Sequence, residues 1–314
     1  MGQKLILIDG NNYLNRAYHA TPKLKSRSGV PTNAIKGFMN ILMADLIRLR
    51  PTHVGVVFDK GGKPNWRCEV YPKYKQNRQE WKAKKDKKTK ERLRQLAEMH
   101  GQCPDLRKLL KRMGFRVIRK TGVEADDLMG TLAKEYAERG WEVIMCTNDK
   151  DMMQLCGGNI RVMTPDRTLM GPTEVHQKFG VRPSQIVDYL CLLGDKVDNI
   201  TGVTGCGPAT ARALLEEHGS LKKIIKRRKE LKPALMKSFS ASLEDLKVTP
   251  SIIRLPCDEK HKVTDEDLVF PNPNYNRSRV KDLCEELDLT QTYKLISQNY
   301  KQWTSSPKSK PRKR

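Results

Sequence analysis

The sequence predicts an α/β fold with a central, mostly parallel sheet flanked by helices. Short apolar runs that are typical of buried strands alternate along the chain with segments of helical periodicity. This alternation is the pattern of a parallel sheet covered by helices. Two of the apolar runs end directly at an acidic residue, and a third is followed closely by acids. The carboxyl ends of parallel strands are where sites form in such sheets.

Four segments are predicted strands, and three are predicted helices. The strands are residues 4–9 (KLILID), 53–59 (HVGVVFD), 115–119 and 141–147 (WEVIMCT). The helices are residues 33–49, residues 124–139, and the segment from Pro183 through Leu193. Eight cysteines are present without a C-x-x-C pair, so zinc-site spacing is absent and we expect reduced thiols.

The composition favours a polyanionic partner. The chain of 314 residues carries 60 Lys and Arg against 36 Asp and Glu, a formal net charge of +24. Nucleic acid is favoured over a membrane, because no apolar run near the start approaches the ~20 residues that a membrane span needs. No secretion signal is found. We therefore expect a cytoplasmic protein.

Two stretches concentrate the positive charge. Eleven of the 22 residues in 73–94 are Lys or Arg, and 222–237 holds eight with one acid. The first stretch has few apolar residues beyond Tyr74 and Trp81, so we expect a solvated, mobile insertion. The usual explanation of such a run is a solvated surface. The functional alternative is phosphate binding, with the two aromatic rings stacking on exposed bases.

Acidic residues recur after the predicted strands and in the Gly-rich segment near 195. The candidates are Asp9, Asp59, Glu124, Asp126, Asp127, Asp149, Asp151, Asp195 and Asp198. Carboxylates gathered without His or Cys suit Mg²⁺, or Mn²⁺ in its place, better than zinc. Two such ions ~4 Å apart activate a water and stabilise the leaving oxygen of a phosphodiester.

Each acid also has an ordinary structural explanation. Asp9 and Gly10 could form a turn. The acids near residue 124 suit a helix N-terminus, and Asp149 and Asp151 could cap the next helix. The repeated pattern of a strand followed by an acid favours the metal site over these separate explanations.

A glycine-rich turn leads into a predicted helix and suits phosphate binding. Gly202, Gly205 and Gly207 precede Pro208. Glycines allow backbone N–H groups to approach a phosphate, and the helix N-terminus adds a favourable dipole. An ordinary turn between packed helices is the alternative.

Five motifs resemble the 5′ nuclease family: the 5′–3′ exonuclease domain of bacterial DNA polymerase I, stand-alone phage 5′ exonucleases and flap endonucleases. The motifs are LILIDGNNYLNRAYHA (5–20), VVFDKGGKPNWRCEVYPKYKQNR (56–78), GVEADDLMGTLA (122–133), CTNDKDMMQL (146–155) and LLGDKVDNITGVTGCGPATA (192–211). The resemblance implies a PIN-like nuclease core over 1–180 with a basic helical arch at about 73–100. It further implies a helix–three-turn–helix DNA-binding region with C-terminal helices over 181–300. The remainder, 301–314, is expected to be a basic disordered tail.

The resemblance also implies roles for individual residues. Asp9, Asp59, Glu124 and Asp126 match one metal group. Asp149, Asp151 and Asp198 match the second, with Asp127 and Asp195 beside them. Lys75 and Arg78 of the arch are the expected catalytic cations. The expected DNA contacts are Arg16, Tyr74, Lys75, Arg78, Gly202, Gly205, Gly207 and Arg212. A K⁺ site is expected over Gly202 to Gly207. Relatives often carry lysine where Ala209 stands, so Arg212 is the expected substitute.

The predicted function is a Mg²⁺-dependent, structure-specific 5′ nuclease that acts on DNA with 5′ ends, flaps or branches in replication, primer removal or repair. RNA primers in RNA–DNA hybrids are further candidate substrates. A replication polymerase and a single-strand-binding protein are candidate partners, and the resemblance implies a monomer in a bacterial or phage-infected cell. Two alternatives stay open from the sequence: an RNA-directed 5′ nuclease, and a non-catalytic protein that binds branched DNA.

Overall fold

The computed structural model describes residues 2–62 and 65–305. Contacts divide the chain into two units, each discontinuous in sequence. Unit 1 comprises Met1–Phe58, Arg92–Ile118 and His261–Arg314, and unit 2 comprises Asp59–Glu91 and Arg119–Lys260.

The helices and strands of both units follow in chain order. The strands are β1 (Lys4–Asp9), β2 (His53–Val57), β3 (Arg116–Ile118), β4 (Glu142–Cys146), β5 (Ile160–Met163), β6 (Leu169–Met170), β7 (Gly194–Asp195) and β8 (Ile200–Thr201). The helices are α1 (Gly10–Ala20), α2 (Asn33–Leu49), α3 (Trp66–Val70), α4 (Gln76–Ala83), α5 (Lys87–Gly101), α6 (Cys103–Arg112), α7 (Ala125–Glu138), α8 (Pro172–Phe179), α9 (Ile186–Leu193), α10 (Pro208–His218), α11 (Leu221–Lys226), α12 (Pro233–Ala241), α13 (Leu243–Ile253), α14 (Asp265–Leu268), α15 (Arg277–Glu286) and α16 (Thr290–Ser305). Short 3₁₀ turns cover Asp151–Leu155, Pro183–Gln185 and Arg228–Glu230.

Unit 1 is built on three parallel strands. β1 pairs with β2 and β2 pairs with β3, both in parallel. β1 is buried from Leu5 onward, because its apolar residues are covered on both faces, as parallel sheets require. Gly10 begins α1 close to the sheet, and a Cβ there would lie 2.5 Å from ring carbons of Phe58. This glycine is needed for close packing, which differs from the turn that the Asp-Gly pair suggested.

Unit 2 contains β4 and β5 in parallel, and β6 pairs with β5 in the antiparallel sense. β7 and β8 form a short antiparallel hairpin whose register pairs Asp195 with Ile200. α7 packs against β4, and α9 packs against α10 and α13. The hairpin therefore presents the segment between Asp195 and Ile200 as a tight turn.

The predicted α/β class with a mostly parallel sheet flanked by helices is confirmed. The predicted strands and helices agree with β1, β2, β3, β4, α2 and α7 to within two residues at each end. The basic stretch is helical, and α4 has no buried residue. α16 continues to Ser305, so the first residues of the predicted tail are helical; residues 306–314 lie outside the described part. In the described residues, no helix combines the length and apolarity needed to cross a bilayer.

Candidate active site

Asp9 ends β1 and caps the first helix of unit 1. Its Oδ1 accepts a hydrogen bond from the Asn12 backbone N–H at 2.9 Å, which satisfies one of the donors left open at the start of α1. Arg16 lies on the same helix, with its guanidinium carbon 5.2 Å from the centre of the Tyr13 ring. The strand-end position of Asp9 is as predicted, and its hydrogen bond to Asn12 gives the carboxylate a capping role.

In unit 2, Asp59 is joined to the start of α7. Its Oδ1 accepts a hydrogen bond from the Ala125 backbone N–H at 2.7 Å. Glu124 occupies the N-cap position of α7, and Asp126 and Asp127 lie in its first turn. The positive end of the helix dipole favours negative charge there. The hydrogen bond from Ala125 thus places Asp59, in the chain segment after β2, beside the carboxylates at the start of α7.

Asp127 forms a buried ion pair with Arg67. The Arg67 Nη1 and Nη2 atoms each donate to one Asp127 oxygen at 2.7 Å, and the two side chains are 3% and 0% exposed. Arg67 Nε donates to the Ile252 carbonyl at 2.8 Å. Burial alone would lower the pKa of Arg67, but the paired carboxylate outweighs it and raises that pKa. Because Arg67 engages both of its oxygens, Asp127 has a structural role in this structure as the partner of a buried cation.

Glu124 accepts two hydrogen bonds from the base of the basic stretch. Lys75 Nζ donates to Oε1, and the Tyr74 hydroxyl donates to Oε2 at 3.0 Å. Burial would raise the pKa of Glu124, but Lys75, Arg67 and the Tyr74 hydroxyl hold it below its usual range. Glu124 is therefore an ionised carboxylate held by a cation and a phenol.

The Tyr74 ring is 5% exposed. Base stacking needs an accessible ring face, and Tyr74 does not present one in this structure. Burial, and then the neighbouring charges of Glu124 and Asp198, raise the pKa of the phenol, which stays protonated and able to donate. Tyr74 instead orients Glu124.

Asp198 contacts the same two cations that were predicted to act in catalysis. Arg78 Nη2 donates to its Oδ1 at 2.9 Å, and Lys75 Nζ lies 3.8 Å from that oxygen. Asp195 pairs with Lys150, whose Nζ lies 2.6 Å from Asp195 Oδ2. Burial raises the pKa of Asp198 despite both cations. The structure thus brings Lys75, Arg78, Glu124 and Asp198 into one cluster.

Asp149 and Asp151 follow β4 in a tight turn. Asp149 Oδ1 accepts a hydrogen bond from the Asp151 N–H at 2.8 Å. The Oδ1 atom of Asp151 is buried and makes no hydrogen bond. Burial and the charge of Asp149 raise the pKa of Asp151 well above its usual range. A buried carboxylate oxygen without a donor is the kind of atom that a cation would satisfy.

The glycines of the predicted phosphate-binding turn serve different purposes. A Cβ at Gly202 would lie 2.3 Å from the Leu193 carbonyl carbon, so this position is needed for close backbone packing. Gly205 has a φ of +78°, and Gly207 is the N-cap of α10; both are exposed. The exposed Arg212 lies on α10, and its stem packs on Gly180. Gly205 and Gly207 are therefore the accessible part of the turn.

The donor chemistry of the acids fits a hard divalent cation, since the candidate residues are all carboxylates and one has an unsatisfied buried oxygen. Over residues 2–62 and 65–305, however, no three His, Cys, Asp or Glu side chains are arranged to hold a metal. Lys75, Arg78 and Lys150 contact the carboxylates instead.

Sequence reasoning missed several residues that organise the site. Arg67 and Lys150 are the cations that pair with Asp127 and Asp195. Asn77 donates to a backbone carbonyl in the β7–β8 turn, and Asn199 donates to one at the base of α4. Lys150 stands between two acids, which could have signalled a counter-charge. Nothing in the local sequence marks Arg67 as buried.

Family sequence models match the chain over most of its length. The 5′–3′ exonuclease N-terminal resolvase-like domain matches residues 4–180, and the 5′–3′ exonuclease C-terminal SAM fold matches residues 181–276. Matches of this kind define a class, the two-domain nucleases with a resolvase-like core.

Individual relatives agree with this class. A 5′–3′ exonuclease of Aquifex aeolicus is 32% identical over 299 residues, which are 95% of this chain and 96% of that protein. The DNA polymerase I of Caldicellulosiruptor bescii is 32% identical, and its match covers 93% of this chain but only 33% of the polymerase. The chain belongs to the 5′–3′ exonuclease family.

A solved structure shares the fold. The bacteriophage T5 D15 flap endonuclease, in a complex with DNA and metal ions, superimposes with a TM-score of 0.69 at 21% identity. The match covers 95% of this chain and 100% of the phage protein.

The Arg67–Asp127 pair predicts a large loss of stability when one partner is removed. Asp127→Asn should lower the free energy of unfolding by about 3–5 kcal/mol, because it leaves the Arg67 charge buried without its counter-ion. The double replacement Arg67→Met with Asp127→Leu should recover most of this loss. Urea unfolding measures both effects. If Asp127 were instead a metal ligand surrounded by other carboxylates, Asp127→Asn would relieve their mutual repulsion and raise stability.

Asp151→Asn should raise the midpoint of thermal unfolding at neutral pH in EDTA. A folded-state pKa above the ordinary value of 3.8 means that ionised Asp151 destabilises the native state as pH rises. The gain should therefore disappear below pH 3.8, where Asp151 is protonated in both states. Asp166→Asn is the control of opposite sign: Thr164 and Thr168 lower the pKa of this exposed acid, so its loss should destabilise. A lower midpoint for Asp151→Asn at neutral pH would contradict the assignment.

Proposed function

We propose that this chain is a structure-specific 5′ nuclease that hydrolyses DNA phosphodiesters at 5′ ends, flaps and branches. One observation carries the proposal: Lys75 and Arg78, at the base of an exposed basic helix, contact Glu124 and Asp198. Phosphate-binding cations and carboxylates suited to metal ions therefore belong to one cluster.

Divalent ions, Mg²⁺ first and Mn²⁺ as a substitute, are the proposed cofactors. The residues that would hold them are Asp9, Asp59, Glu124, Asp126, Asp149, Asp151, Asp195 and Asp198. When bound, the two ions would supply Lewis-acid activation of water and stabilise negative charge on the leaving oxygen. The unsatisfied Asp151 Oδ1 supports this, as does the metal-containing complex of the T5 flap endonuclease.

The protein's own groups have separate tasks. Lys75 and Arg78 bind and orient the scissile phosphate and neutralise charge as the phosphorus is attacked. Lys75 and Arg78 pair with Glu124 and Asp198 in this structure, which supports an exchange of partners. When metal ions neutralise these acids, a phosphate would replace the carboxylates as the partner of Lys75 and Arg78. Tyr74 keeps Glu124 oriented through its hydroxyl. The cleaved product would carry a 5′-phosphate.

DNA is the proposed substrate, because the net charge is +24 and the T5 relative is seen with DNA. The exposed Gly205 and Gly207 offer backbone N–H groups to a phosphate, with Arg212 and Arg16 as further contacts and a K⁺ ion held over Gly202 to Gly207. We further propose RNA primers in RNA–DNA hybrids as substrates. The proposed partners are a replication polymerase and a single-strand-binding protein. We propose that the chain acts as a monomer in the cytoplasm; its eight free cysteines suit a reducing compartment.

The second candidate is a non-catalytic protein that binds branched DNA. It is favoured because lysine and arginine side chains occupy the acid cluster, and no three described His, Cys, Asp or Glu side chains are arranged to hold a metal. Cleavage activity separates the two candidates.

A 5′-labelled flap duplex should be cut near the flap junction in Mg²⁺ and left intact in EDTA. Asp126→Ala should abolish this cleavage while binding in EDTA persists, since a ligand is lost but the basic surface remains. Glu142→Ala is the matched control, because Glu142 begins β4 at the strand end opposite the acids. Binding without cutting in Mg²⁺ and Mn²⁺ would favour the non-catalytic candidate. Preferential cutting of a matching RNA flap would favour an RNA-directed nuclease.

Lys75→Ala should slow single-turnover cleavage by about 10²–10³-fold, because a positioned cation at the phosphate is lost. The dissociation constant for the flap should change much less. Lys82→Ala, in the exposed last turn of α4, removes the same charge away from the acids and should leave the rate near that of the native protein. An unchanged rate for Lys75→Ala would make Lys75 a bystander.

A further inference from the structure

Two segments far apart in sequence are fastened together beside the acids by side-chain amides. Asn77 Nδ2 donates to the Lys196 carbonyl at 2.6 Å, and Asn199 Nδ2 donates to the Lys73 carbonyl at 2.7 Å. We call these two reciprocal hydrogen bonds the asparagine clasp. Each asparagine binds the backbone of the other segment, so the base of α4 and the β7–β8 turn hold one another.

A backbone hydrogen bond lies between the two arms of the clasp. The Lys75 N–H donates to the Asp198 carbonyl at 2.9 Å. The turn itself is kept tight because Asp195 Oδ1 accepts from the Val197 N–H at 2.6 Å. The clasp therefore joins two pre-formed turns.

The clasp concentrates unfavourable local features. Lys75 and Asn199 have φ values of 56° and 57°, in the left-handed region that residues other than glycine seldom adopt. The Asn77 Oδ1 atom is buried and makes no hydrogen bond. Backbone strain and unpaired polar groups persist where the surrounding structure enforces them, and they are concentrated at functional positions.

The clasp differs from the ion pairs that it surrounds. The contacts of Lys75 and Arg78 with Glu124 and Asp198 are charge pairs, and a phosphate would compete for those cations. The asparagine amides are neutral donors to main-chain carbonyls, and a phosphate attracts a neutral amide less strongly than it attracts a cation. The clasp can thus keep the segments together while the ion pairs exchange.

We propose that Asn77 and Asn199 are positioning residues that hold Lys75 and Arg78 at the acid cluster when the two cations bind the scissile phosphate. This inference rests on the proposed nuclease function. It predicts that losing the clasp slows the chemical step and leaves DNA binding largely intact.

The test compares Asn199→Gly, Asn199→Asp and Asn77→Ala in the full chain. Asn199→Gly keeps the left-handed backbone but loses the amide, whereas Asn199→Asp keeps the shape but faces the Lys73 carbonyl with an acceptor. Asn159→Gly is the matched control, because Asn159 lies in the exposed turn before β5, at the end of β4 away from the acids. The readouts are single-turnover cleavage of the flap at saturating enzyme, flap affinity in EDTA, thermal unfolding, and trypsin digestion at the Lys and Arg residues of 73–78.

Asn199→Gly and Asn77→Ala should each cut about 10- to 100-fold more slowly than the native protein, as small misplacements of catalytic groups do. Their flap affinity and unfolding midpoint should match the Asn159→Gly control, and trypsin should cut 73–78 faster. Since the two variants lie on opposite segments, misfolding of one leaves the other decisive. Native cleavage rates in both, or a loss confined to flap affinity, would overturn the clasp and leave the nuclease proposal standing. A native protein that does not cut in any metal would overturn the nuclease proposal itself.

Discussion

Repulsion between carboxylates is the constraint on which the candidate site depends. Glu124, Asp195 and Asp198 are partly withdrawn from water, and each would be unfavourable without a counter-charge. Lys75 and Arg78, from the base of α4, and Lys150, from the turn after β4, supply that charge. Asp151 is compensated only in part, because burial and the charge of Asp149 raise its pKa although Lys150 opposes them.

The acids of the site are of two physical kinds. Asp127 is bound at both oxygens by Arg67 and holds α7 to the Ile252 carbonyl through that arginine. Glu124, one turn earlier, keeps contacts that cations or phosphate could replace. A buried, fully hydrogen-bonded pair next to a cluster with replaceable contacts can hold the start of α7 in place. Removing one partner costs more free energy in a buried ion pair than in an exposed one.

The positive charge of the chain takes part in both folding and the proposed chemistry. The same lysine and arginine that stabilise the acids lie at the base of the basic segment, where a DNA backbone would also be attracted. Coupling these two tasks requires that α4 stay fastened while its cations change partners. The asparagine clasp satisfies that requirement with neutral hydrogen bonds, which salt and phosphate do not screen as they do charge pairs.

The sequence by itself determined the fold class, because buried strands such as 4–9 carry an unbroken apolar run and end at acids. It also singled out Lys75 and Arg78, which the structure brings into contact with two of the predicted acids, because their motif is local. Tertiary structure alone decided which acid is structural. Asp126 and Asp127 are adjacent in sequence, but only Asp127 meets Arg67, 60 residues earlier. It likewise turned Tyr74 from an expected stacking surface into a buried donor and paired Asn77 with the Lys196 backbone. These outcomes depend on burial and on partners distant in the chain, which local periodicity and motif spacing do not encode.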